Sequence, residues 1–222
     1  PILAAIVITS VFSLFNIEEA KYFYKMDRAD FQIFLATLVL TLIFGIVNGI
    51  ILGIAFSLLS IVRRASRPRY ALLGELPGTG TFRDIRRYPN AITHAEIIIM
   101  RYDQDLFFGN AERFVKIVLE EIKKKQSVKF VIISCRSFRN LDSTSLGKLI
   151  QLIQKCQAQD VQLILTDLTG SVRDLFFRAG IIDLLGKDNL HLRVADALDM
   201  ILQNSHGDAA ISNEYAQQTN PQ

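Results

Sequence analysis

The sequence predicts a membrane α-helical segment followed by an α/β domain, a mixed and mostly parallel sheet covered by helices. Three observations carry this reading. Phe31 to Val62 holds no Asp, Glu, Lys, Arg or His across 32 consecutive positions. Arg63, Arg64, Arg67 and Arg69 follow that block at once. From Glu96 onward, short apolar runs alternate with stretches of helical period, the pattern of strands joined through helices.

A charge-free gap of this length arises about once in ten thousand tries at the usual quarter of charged residues. Buried core helices are shorter and keep a polar stripe. One helical crossing of a bilayer takes about 20 residues and two take about 40, so the block fits neither. Gly45, Asn48, Gly49 and Gly53 lie near its middle, where glycine permits a reversal and Asn satisfies loose backbone groups. The expectation is a hairpin of two short helices, Phe31 to Phe44 and Val47 to Val62, shielded by other membrane helices. A single strongly tilted helix is the alternative.

The four arginines put the following domain on the cytoplasmic side by the positive-inside rule and form a basic anchor at the membrane surface. Lys21, Lys25 and Arg28 flank the other end, and two basic flanks on one side require an even number of crossings. Ahead of them, Ile2-Leu3-Ala4-Ala5-Ile6-Val7-Ile8 reads as a transmembrane helix entered part-way, which makes the chain a C-terminal piece of a larger membrane protein. Ile17 to Met26 mixes apolar residues with Glu18, Glu19, Lys21 and Lys25, as in a surface helix with Tyr22 and Tyr24 at headgroup depth. Final membrane helices are thus expected over 1–62, a basic linker over 63–69, the α/β domain over 70–205 and a disordered tail over 206–222.

Within the domain, Ile97 to Met100 and Leu106 to Phe108 read as a hairpin around Asp103-Gln104-Asp105. Asn110 is expected to cap a helix reaching Lys125. Val128 to Cys135 and Val161 to Leu165 read as buried strands, Leu146 to Ile153 and Val172 to Ala179 as helices, the second stopped by Gly180. Val194 to Ile201 is the last helix. Gly78-Thr79-Gly80 lacks the Gly-Lys-Ser/Thr of a phosphate loop and is a turn.

A formal charge of +3 does not point to nucleic acid. Cys135 and Cys156 have no local pairing signal, and His94, His191 and His206 have no metal-ligand spacing. No cofactor or metal is expected. An enzyme reading finds no nucleotide loop after a strand, no Ser/His or Cys/His arrangement and no paired carboxylates. Asp167 and Asp174 fit loop and helix-start roles.

One stretch carries potential chemistry. Phe138-Arg139-Asn140-Leu141-Asp142-Ser143-Thr144-Ser145-Leu146-Gly147 joins the central strand to a helix. Asp142, Ser143 and Thr144 are capping residues by type. An exposed hydroxyl at a helix N-terminus is also a good phosphoacceptor, because the dipole and free amides stabilise added charge.

The run Leu141-Asp142-Ser143-Thr144-Ser145-Leu146 after an apolar strand resembles the signature loop of STAS domains, the fold shared with bacterial anti-sigma-factor antagonists. In the antagonists the Ser after the Asp is phosphorylated, which by resemblance falls on Ser143; they usually carry Gly where this sequence has Ser145. Leu73-Gly74-Glu75-Leu76-Pro77-Gly78-Thr79, Phe82-Arg83-Asp84-Ile85 and Leu106-Phe107-Phe108-Gly109-Asn110-Ala111-Glu112-Arg113-Phe114 resemble, in order, the STAS segment of sulfate permease (SulP) family anion transporters. The resemblance implies gate-side membrane helices before a regulatory STAS domain that assists homodimerisation. It puts the anion site in helices upstream of Pro1, with no substrate-binding residue here. Implied partners are membrane lipid, those upstream helices and a regulatory protein at Asp142 to Thr144. A membrane-tethered STAS signalling module, switched by phosphate without transport, is the alternative.

Overall fold

The structure, a computed structural model, describes residues 2, 17–26, 28–66, 69–125 and 127–204. The part-entered helix beyond Ile2, Arg67 and the expected disordered tail lie outside them. The chain divides into two compact units, Pro1–Arg64 and Ala65–Gln222.

In the first unit, helix α1 (Ile17–Met26) precedes the helical segment α2 (Arg28–Ala65). The backbone of α2 breaks at Gly45, with φ 82° and ψ 168°, a region open essentially to glycine alone. The chain reverses there. A Cβ on Gly49 would stand 2.5 Å from Thr41 Cα, and one on Gly53 would stand 2.7 Å from Thr37 Cγ2; along a straight helix these pairs would be about 12 and 24 Å apart. The arms therefore lie side by side, in contact through glycines. The break frees helical hydrogen-bonding groups, and the Asn48 side chain donates to Phe44 O at 3.1 Å. Thr37 and Thr41 donate their hydroxyls to Ile33 O and Thr37 O, each at 2.8 Å, so little polarity is left unmet in an apolar surrounding. Leu42, Ile43, Ile46 and Val47 point outward and exposed.

The second unit is one six-stranded sheet in the order β2-β1-β3-β4-β5-β6. Its strands are β1 (Tyr70–Leu76), β2 (Thr81–Asp84), β3 (Ile97–Tyr102), β4 (Phe130–Ser134), β5 (Gln162–Thr166) and β6 (Leu190–His191). Strand β1 pairs antiparallel with β2 and β3, and β3 to β6 run parallel. Helices α3 (Ala111–Lys124), α4 (Ser143–Gln157), α5 (Gly170–Arg178) and α6 (Ile181–Leu185) follow in turn, and residues 194–204 form α7.

Because side chains alternate across a strand, the sheet feeds two cores. Ile98, Met100, Val131, Ile133, Leu163 and Leu165 join residues of α3 to α6 on one face. Ile97, Ile99, Ile132 and Ile164 meet Val194, Ala197, Leu198 and Ile201 of α7 on the other. Both cysteines are free and buried, and burial pushes the Cys156 thiol up to about 12.

Two expectations need correction. Leu106 to Phe108 is no strand: the antiparallel partner of β3 is β1, with Tyr70 opposite Tyr102 and Leu72 opposite Met100, and Leu106 is buried in the following loop. Asn110 sits at the start of α3 without capping it. Its side chain turns back, accepting from Phe107 N–H at 3.0 Å and donating to Asp105 O at 2.8 Å.

Candidate functional site

Parallel sheets present their loops at the carboxyl ends of the strands, where α/β folds place their sites. The β3–α3 and β4–α4 loops meet at that end. Asp105, in the first loop, accepts from the Arg139 amide of the second at 2.7 Å. Asp142, in the second, accepts from the Phe108 amide of the first at 2.7 Å. This reciprocal clasp ties the loops with carboxylate hydrogen bonds, the stronger kind. An ion pair between Lys148 of α4 and Glu112 of α3 joins the helices below it.

Asp142 is also the N-cap of α4, its Oδ1 accepting from Ser145 N–H at 2.7 Å. Burial pushes its carboxyl up, but the amides of Ser145, Phe108 and Thr144 together hold it below the usual aspartate range. Ser145 is buried, and its hydroxyl donates to Asp142 O at 2.8 Å. The side chain at the position where the antagonists carry Gly is therefore turned inward, away from any partner approaching the loop. Ser143 and Thr144 are exposed on the first turn of α4. Their hydroxyls face solvent at the positive end of a 15-residue helix, where added negative charge is stabilised.

Asp167 takes a loop role: with φ 59° it closes β5, and its carboxylate accepts from Ser134 and Thr166 hydroxyls at 2.7 and 3.0 Å. Of the basic anchor residues, Arg63 and Arg64 end α2 and Arg69 precedes β1, all exposed. Asp105 and the Phe108 amide are functional groups that sequence reasoning missed. Their partners lie 34 residues away, and no local spacing signals such a pair.

The double role of Asp142 gives a pH-dependent stability. A carboxyl depressed on folding stabilises fully above the unfolded aspartate value of about 3.9, and the contribution is lost as pH falls through the lower folded value. Asp142→Ala is expected to cost about 2 kcal/mol through the lost cap, and Asp142→Asn much less, since Asn still caps. Denaturant melts at neutral pH check this; equal losses for both variants would contradict the capping role.

Residues 88–197 match the STAS domain family. The chain is 33% identical over 212 residues to sulfate transporter 4.1, chloroplastic, of Arabidopsis thaliana, a match covering 90% of this chain and 31% of that protein. It is 28% identical to high affinity sulfate transporter 2 of Stylosanthes hamata, covering 89% of this chain and 31% of that protein. The chain thus spans about a third of the length of the curated relatives it matches. Its fold is similar to a part of the murine Slc26a9 anion transporter in the inward-facing state, with a TM-score of 0.75 at 18% identity over 86% of this chain and 31% of that one. The chain carries a STAS domain and is a homologue of plant sulfate transporters over most of its length.

Proposed function

We propose that this chain is the C-terminal part of a secondary-active anion transporter, carrying sulfate or a related anion such as bicarbonate. Residues 1–62 supply gate-side membrane helices, and the STAS domain is a cytoplasmic regulatory module that assists homodimerisation. One observation supports this most. The likeness to sulfate transporter 4.1 covers 90% of the chain, so it takes in residues ahead of the STAS match at 88–197 and is not a shared regulatory module alone. The hairpin's exposed apolar arms fit the same reading, since such a surface is stable only against lipid or other helices.

The exposed Ser143 favours the second reading, a membrane-tethered STAS signalling module, and also serves the first as its regulatory site. The full gene product, reconstituted in lipid vesicles, is expected to take up labelled sulfate or another anion from a panel. Ser143→Glu is expected to alter that rate while the melting of the domain stays unchanged. No uptake of any anion, with partner binding still altered by Ser143→Glu, would leave the signalling module.

A further inference from the structure

We propose that the β1–β2 edge of the STAS domain holds a binding site for the phosphate of an anionic lipid headgroup. The site is a cleft of about 510 Å³, within the range of about 300–1,000 Å³ for small-molecule sites. Arg69, Arg83, Arg86 and Arg87 line it. They come from the residue before β1, from β2 and from the turn that follows β2. None of these four guanidinium groups has an ion pair or hydrogen bond among the described residues.

The carboxylates in the cleft are already engaged. Asp103 accepts from Arg101 Nε at 2.5 Å, and Asp84 accepts from the Arg86 backbone N–H at 2.9 Å. With Arg101, five guanidinium groups and two carboxylates line the concavity, an excess of three positive charges. Charges on an edge strand also discourage edge-to-edge pairing. That purpose needs charge along the strand and gives no reason for arginines from separate stretches to share a cleft. Guanidinium forks match phosphate oxygens in bidentate fashion.

The lipid source follows from chain connectivity and rests on the membrane reading proposed above. Arg69 lies four residues beyond Ala65, the last residue of α2, and four residues span at most about 14 Å. Tyr88, also lining the cleft and 45% exposed, is of the type that settles at headgroup depth. The run Arg63, Arg64, Arg67 and Arg69 supplies general attraction to an anionic surface. The cleft adds a place where one headgroup is held.

The test uses the full chain in nanodiscs of phosphatidylcholine, with or without phosphatidylglycerol, followed by amide hydrogen exchange over residues 81–88. Soluble dihexanoyl-phosphatidylglycerol and inorganic phosphate are titrated separately into the phosphatidylcholine discs. Slower exchange is expected with phosphatidylglycerol in the disc and with its soluble analogue. Arg86→Gln/Arg87→Gln is expected to weaken the apparent affinity for the analogue at least about tenfold, the loss of one hydrogen bond to a charged group. Both side chains are exposed, so the variant's melting temperature is expected to be unchanged. Protection by inorganic phosphate alone would overturn the lipid assignment, as would equal protection in the double variant or none in either lipid. A chain that never enters nanodiscs yet is protected by the soluble analogue would sink the membrane reading, leaving the phosphate cleft in place.

Discussion

Phe138→Ala is expected to lower the stability of the STAS unit by about 4 kcal/mol, within the usual range for deleting a buried Phe. Phe138 is fully buried, its ring centroid 6.0 Å from those of Tyr102 and Phe114, which are themselves 4.9 Å apart. Each pair meets edge to face, a geometry that adds to the area buried. The cluster joins the end of β3, helix α3 and the loop leaving β4, so no single element can move in to fill the space. Alanine would leave a cavity at the root of the site.

The effect reaches the site through the backbone. Arg139, the next residue, donates its amide to Asp105, and the loop that Phe138 anchors leads to Asp142. Slack there loosens both halves of the clasp, so faster hydrogen exchange at the Phe108 and Arg139 amides is expected alongside the lost stability. Denaturant unfolding followed by far-UV circular dichroism measures the first effect. Phe177, 68% exposed on α5, is the control, and its alanine variant is expected to stay within about 0.5 kcal/mol of the parent. A Phe138→Ala loss as small as the control's would mean that the ring cluster is not what seats the loop.

The parts of this molecule that were legible in the sequence depend on neighbours close along the chain. Val131 to Ile133 and Leu163 to Leu165 are continuous apolar runs because parallel strands are covered on both faces. Asp142 reads as a cap because it accepts from Ser145, three residues on. Strands β1 and β2 are hard to see in the sequence because Gly74, Pro77, Gly78 and Gly80 are residue types that mark turns and loops. The actual turn needs only Pro77 to Gly80, and the flanking residues pair across it with Leu76 opposite Thr81. Missing β1 caused the mistaken hairpin, since β3 lacked a partner and Leu106 to Phe108 was the nearest apolar run.

The site shows the same division. Ser143 and Thr144 were found as exposed hydroxyls at a helix start, whereas the clasp joins residues that share no sequence pattern. The arginines are a further case. In sequence Arg69 belongs to the basic run after the apolar block; in space it lines a cleft with Arg83, Arg86 and Arg87. Sequence proximity assigned it to a diffuse membrane anchor, and folding assigns it to a bounded pocket.

Gly49→Leu is expected to drive the two arms of α2 apart. A Cβ at this position meets Thr41 backbone at 2.5 Å, and backbone, unlike the end of a flexible side chain, cannot step aside by changing rotamer. Overpacking of this kind costs about 3 kcal/mol, more than close-packed arms gain from the few contacts next to Gly49. Spin labels at Leu35 and Phe56, both partly exposed on opposite arms, report the separation in lipid. The parent chain is expected to give a short, narrow distance distribution, and Gly49→Leu a longer and broader one. Gly45→Ala tests the other half of the design. Nothing lies within 4 Å of a Cβ there, but the residue holds φ at +82°, so alanine penalises the reversal itself and favours a continuous helix. In that case the labels move to about 30 Å apart, 21 residues at a rise of about 1.5 Å. An unchanged distance in both variants would mean that neither close approach nor the glycine conformation holds the hairpin, and the two-arm reading of Phe31 to Val62 would fall.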